Sequence, residues 1–142
     1  MVNEEKKTVS IVVLSHGKFA EGILDTVSIL FGDSAKENFY TVCLGPDDDM
    51  NSYAVKVAEV LDKNEDNLVF VDLYGGTPFN AIVKLSKDRK INAIAGVNVP
   101  VLLEALASRT YFSSDVILNN LENIWKDSIV NITKVIEEGK NK

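Results

Sequence analysis

Val9-Ser10-Ile11-Val12-Val13-Leu14-Ser15-His16-Gly17 decides how this chain is read. The run is short, apolar and rich in β-branched residues, so it reads as a buried strand. It ends on a small polar residue, the sole histidine and a glycine. Phe19, Ala20, Ile23, Leu24, Val27, Leu30 and Phe31 then recur at helical spacing. The only imidazole therefore stands at a strand-to-helix turn. In open α/β sheets, ligands and chemistry gather at such turns.

The same alternation continues outward. The first strand spans about residues 8–14 and the first helix 19–31, with Gly32 as its stop. A second strand follows at 39–44. Gly45-Pro46-Asp47-Asp48-Asp49 breaks the chain, and its aspartates suit the first turn of a helix over 50–63. They lack the alternating spacing and central glycine of a calcium loop. Leu68-Val69-Phe70-Val71-Asp72-Leu73 reads as a central parallel strand, apolar except for one carboxylate near its end. In Tyr74-Gly75-Gly76-Thr77-Pro78-Phe79-Asn80, Thr77 reads as a helix cap and Pro78 as the first helical residue. A fourth strand spans 91–95. Further helices span 101–108, opened by Pro100, and 114–126. The last apolar segment, 128–136, is a fifth strand or a continued helix, and its β-branched residues favour the strand. Residues 1–7 and 137–142 read as loose ends.

The fold class expected is α/β: an open, doubly wound sheet in one domain over residues 1–142. Right-handed crossovers and the order 2-1-3-4 put a switch point between the first and third strands. His16 and Asp72 become neighbours there. A composition of 46% hydrophobic and 25% charged residues suits an ordinary globular protein. The net charge of −6, with no basic patch, argues against nucleic-acid binding. No apolar run approaches the ~20 residues of a membrane span, and the charged start lacks a signal-peptide core, so a cytoplasmic protein is expected. The lone Cys43 sits in an apolar stretch and reads as a core thiol.

His16, Asp72 and the turn Gly75-Gly76-Thr77 form a constellation with a definite chemistry. A carboxylate bonded to one imidazole nitrogen selects the tautomer and leaves a lone pair on the other. A glycine-rich turn at a helix start presents N–H groups to an anion, and the Thr77 hydroxyl adds a donor. A nucleophilic imidazole beside an anion cradle suggests phosphoryl transfer. On residue chemistry alone, each part also has a purely structural reading, and the balance is about even. The chain lacks a Walker A sequence and Gly-x-Gly-x-x-Gly, and has no zinc ligand set. A serine triad through Ser15 fails because adjacent strand residues face opposite ways.

Three stretches together resemble a known family. They are Ser-His-Gly at 15–17, Val-Asp-Leu-Tyr-Gly-Gly-Thr-Pro-Phe-Asn at 71–80, and Ala-Gly-Val-Asn-Val-Pro-Val-Leu-Leu-Glu at 95–104. The family is the IIA component of the mannose-type phosphoenolpyruvate-dependent sugar phosphotransferase system, and the likeness spans about residues 8–136. The resemblance implies a phosphocarrier with no cofactor or metal. The phosphocarrier protein HPr would phosphorylate His16 on Nε2, with Asp72 orienting the ring through Nδ1. Gly75, Gly76 and Thr77 would hold the phosphoryl oxygens, and a separate IIB component would receive the group. Serine is frequent in the family where Thr77 stands, and tryptophan where Tyr74 stands. The resemblance further implies a homodimer exchanging an antiparallel edge strand, which the β-branched segment near 130–136 matches. A regulatory module switched by His16 phosphorylation and the phosphotransfer subunit of a dihydroxyacetone kinase are the alternative readings.

Overall fold

Period-two alternation sorts the first strand between two cores. The computed structural model describes residues 8–140. In it β1 (Ser10–His16) sends Ile11 and Val13 to one face and Val12 and Leu14 to the other. All four are fully buried, so the strand is covered on both sides, as a parallel central strand requires. The chain continues through α1 (Phe19–Phe31), β2 (Phe39–Leu44), α2 (Met50–Leu61), β3 (Asn67–Val71), α3 (Gly76–Leu85), β4 (Asn92–Ala95), α4 (Val99–Ser108), α5 (Ser114–Ile124) and α6 (Ile132–Lys140). Short 3-10 turns occupy Asp33–Lys36 and Trp125–Asp127.

The sheet runs β2-β1-β3-β4, with every pairing parallel. This is the order expected from the sequence. On one face α1, α4 and α5 pack Ala20, Ile23, Val27, Leu102, Ile117 and Leu121 against Ile11, Val13, Phe39 and Phe70. On the other, α2 and α3 pack Tyr53, Val57, Leu61, Ala81 and Ile82 against Val12, Leu14, Val69 and Val71. Burying each such aliphatic side chain stabilises the fold by roughly 1.5–3 kcal/mol, taken as an upper bound. Cys43 is only partly buried and packs at the margin of the first cluster, so the expected core thiol lies at the edge of the core.

Local chemistry sets the helix starts. Of the aspartate run, Asp49 alone caps α2, accepting from the Ser52 N–H at 2.8 Å. Asp48 instead turns back to accept from the Gly45 N–H at 2.7 Å. Asn98 caps α4 through the Val101 N–H, so the helix starts slightly before Pro100. Helix α3 begins at Gly76, with Gly75 at the cap position, so Thr77 lies inside the helix and does not cap it.

The C-terminal segment departs from its expected form. Residues 128–136 form no strand in this chain, and α6 occupies Ile132–Lys140. Two local signals outweigh the β-branched composition. The Asn131 side chain accepts from the Lys134 N–H at 3.0 Å, which is an N-cap bond. Ile132, Val135 and Ile136 then follow helical rather than alternating spacing. None of the residues of α6 is buried. Residues 137–140 therefore lie in a helix rather than a loose end, while 1–7 and 141–142 fall outside the described residues.

Candidate active site

The alternation that buries β1 also aims its last two residues. Ser15 continues the Ile11 and Val13 face and is fully buried, whereas the His16 side chain is 47% exposed at the strand end. One parallel ladder bond brings the second residue in: the Asp72 N–H, just past β3, donates to the Leu14 carbonyl at 3.0 Å. Asp72 thus stands beside the end of β1, with its side chain only 11% exposed.

Asp72 grips His16 twice with one oxygen. Its Oδ2 accepts the His16 backbone N–H at 2.8 Å and lies 2.9 Å from Nδ1. Its Oδ1 accepts the Leu73 N–H at 3.0 Å, which holds the carboxylate plane. An ionised carboxylate only accepts, so this geometry selects the tautomer with the proton on Nδ1. Nε2 is left with its lone pair.

That nitrogen stands against the start of α3. A Cβ placed on Gly76 would fall 3.0 Å from His16 Cε1 and 3.2 Å from Nε2. Gly76 also has φ +83° and Gly75 φ +89°, conformations that disfavour any side chain. The turn at residues 75–76 therefore gives the imidazole room. No side chain caps the opening N–H groups of α3, and the positive end of the helix is there to meet an anion. Thr77 is the second residue of this helix, next to Gly76. The structure thus brings His16, Asp72 and Gly76 together, with Gly75 and Thr77 flanking Gly76 in the chain.

Two further residues bear on the site. Ser15 is no nucleophile, since its hydroxyl is buried and bonded to main chain. Tyr53 reads in the sequence as one more apolar residue of α2. It is fully buried, and its hydroxyl donates to the Val42 carbonyl at 2.7 Å. Burial raises its pKa far above the usual tyrosine value, and the nearby Cys43 and Asp72 charges add to the rise. The one signal for it was a polar tip on an otherwise apolar helix face.

The His16 side chain stands open to solvent over nearly half of its surface. One cleft, near the amino ends of β3 and β4, is lined by Asp66, Arg89, Asn92 and Asp115. Tyr74, 81% exposed, stacks at a tilt on Phe79 with ring centroids 4.8 Å apart. No group of three or more His, Cys, Asp or Glu among the described residues is placed to hold a metal ion.

Residues 10–122 match the family described as EIIA-man, the phosphotransferase-system (PTS) fructose IIA component. The chain belongs to this mannose-type IIA family. The "PTS system fructose-specific EIIA component" of Bacillus subtilis is 27% identical to this IIA component over 136 residues, which are 93% of this chain and 92% of that protein. The "PTS system mannose-specific EIIAB component" of Escherichia coli is 34% identical over 105 residues, 72% of this chain but 32% of that longer protein. The crystal structure of phosphotransferase system component EIIA from Streptococcus agalactiae superposes with a TM-score of 0.81 at 29% identity, covering 89% of this chain and 98% of that one. This IIA component accordingly has the general role of its family, as part of a sugar phosphotransferase system.

Proposed function

We propose that His16 carries the phosphoryl group of this system, taking it from phosphorylated HPr and passing it to a IIB component. The observation that carries this reading is the 2.9 Å contact of Asp72 Oδ2 with Nδ1, combined with Nε2 lying against Gly76. The Nε2 lone pair attacks the phosphorus of the donor's phosphohistidine. The new Nε2–P bond forms as the donor's N–P bond breaks, and that electron pair returns to the donor nitrogen. The Nδ1 proton stays in place, so the ring becomes a cation beside the Asp72 carboxylate. The opening N–H groups of α3, with the Thr77 hydroxyl, receive the phosphoryl oxygens. Transfer to IIB reverses these steps on a new acceptor. The imidazole supplies all the chemistry, so the reaction needs positioning and electrostatics rather than a cofactor.

An open site suits a protein partner, which closes over His16 and excludes water during transfer. No helix among the described residues is long and apolar enough to cross a membrane. The reading includes a cytoplasmic location for the chain as one IIA domain. It also includes a homodimer. Ile129, Val130, Ile132, Val135 and Ile136 are each more than half exposed, and β4 is an open sheet edge. On exchange between two copies, the segment around 130–136 would leave its helical form and pair as a strand.

The test uses phosphoenolpyruvate, the first general enzyme of the system, HPr and this chain. The expected result is one acid-labile, base-stable phosphate that His16→Ala abolishes. A His16→Ala protein that still took the label would overturn the assignment. Asp72→Asn should fold and accept phosphate at least about a hundredfold more slowly, because an amide also stabilises the wrong tautomer. An unchanged rate would remove Asp72 from the mechanism.

A further inference from the structure

We infer that Ser15 is a positioning residue for this transfer: its buried hydroxyl locks the turn between β1 and α1 and so sets where the His16 imidazole stands. The inference rests on the carrier reading of His16. Ser15 and His16 are neighbours on a strand and point to opposite faces, so Ser15 acts through the backbone and never on the phosphate. Its Oγ accepts the Ala20 N–H at 2.8 Å and donates to the Gly17 carbonyl at 3.2 Å. One hydroxyl thus ties residues 15, 17 and 20 into a closed loop around His16. The position that would cap α1, Lys18, offers no side-chain bond to the helix. Ser15 supplies that bond from the strand instead, which couples the helix start to the sheet. On the other side of the turn, the Gly17 N–H donates to the Leu44 carbonyl at 2.9 Å.

These bonds matter because packing alone does not hold the imidazole. Its side chain is nearly half exposed, and its close neighbour is a glycine. Asp72 fixes the ring nitrogen and the backbone N–H of His16. Ser15 fixes the backbone that follows. With both in place, the ring has one stance, Nδ1 on the carboxylate and Nε2 over Gly76. Without the hydroxyl, the buried Ala20 N–H loses its partner and the Gly17 carbonyl is released. The turn then relaxes, and the ring spends less time in the attacking position. A displacement of about 1 Å from a reactive geometry costs up to roughly a hundredfold in rate.

The experiment compares full-length wild type with Ser15→Ala, Ser15→Cys and Ser15→Thr. The thiol of Ser15→Cys nearly keeps the volume but bonds weakly, whereas Ser15→Thr retains the hydroxyl. The chain has one histidine, so histidine labelled with ¹⁵N reports a single ring. In wild type, the two ring nitrogens should show separate shifts for the Nδ1–H tautomer. Ser15→Ala and Ser15→Cys should move both shifts towards the average of the two tautomers. The same variants should lower kcat for transfer from phospho-HPr by roughly ten- to a hundredfold, with KM changed less than about twofold. Ser15→Thr should restore both readings. If Ser15→Ala fails to fold, Ser15→Cys carries the comparison. Variants that only melt earlier, with wild-type ring shifts and kcat, would show a helix cap and nothing more, and would overturn the inference. The ring shifts involve no phosphate. A wild type that HPr does not label would therefore count against the carrier reading and leave the Ser15 result to stand on its own.

Discussion

At Gly76 two constraints meet in one residue. Its φ of +83° strains any L-side chain, and the space a Cβ would take is already crowded by the His16 ring. Gly96 has φ +88°, and a Cβ there would meet nothing within 4 Å, so it carries the first constraint without the second. Gly76→Ala and Gly96→Ala should each cost roughly 1–2 kcal/mol of stability, read by chemical denaturation. Only Gly76→Ala should also push the imidazole off Asp72 and slow phosphotransfer by about tenfold or more. Equal transfer rates in the two variants would show that the close approach has no role. The glycine pair was visible in the sequence as turn punctuation. Its contact with the ring was not, because residues 16 and 76 meet only across the sheet.

Among the elements, α2 is joined to β2 by a polar bond inside an apolar layer. The fully buried Tyr53 donates to the Val42 carbonyl, and burial keeps its phenol protonated well above the ordinary tyrosine pKa of about 10. The unfolded chain loses this proton first, so folding stability from Tyr53 is complete below about pH 10 and declines as pH rises towards the higher folded-state pKa. Tyr53→Phe should remove that share of the alkaline decline. It should also cost roughly 1 kcal/mol at neutral pH, because the Val42 carbonyl loses a donor. Urea denaturation of both proteins at neutral pH and at about pH 11 checks both statements. Elements were legible in the sequence wherever a start or stop signal and an apolar period agreed, as at the aspartates before α2 or at Gly32 after α1. The start of α3 was misplaced because Thr77-Pro78 has the composition of a cap, while the positive φ of Gly75 and Gly76 sets the true boundary. In α6, the Asn131 cap and the spacing of Ile132, Val135 and Ile136 prevailed over β-branched propensity.

For the whole molecule, the exposed apolar tail is the feature a lone chain leaves unexplained. Deleting residues 128–142 removes no side chain from either core cluster. The truncated chain should therefore keep its melting behaviour as a folded unit, while sedimentation should shift from a dimer for the full chain to a monomer. A full-length monomer at micromolar concentration would rule out the dimer. What the sequence by itself determined is the parallel α/β sheet and the choice of candidate site residues. Continuous apolar strands alternating with amphipathic helices permit few other architectures, and a single histidine at a strand end leaves little choice of centre. Only the tertiary structure decided the geometry. Asp72 reaches Nδ1 because its N–H extends the ladder to Leu14, Gly76 lies under Nε2 because α3 starts where β3 ends, and Ser15 turns inward to Ala20. Each of these contacts joins positions whose distance is set by strand pairing and packing, which residue order does not contain.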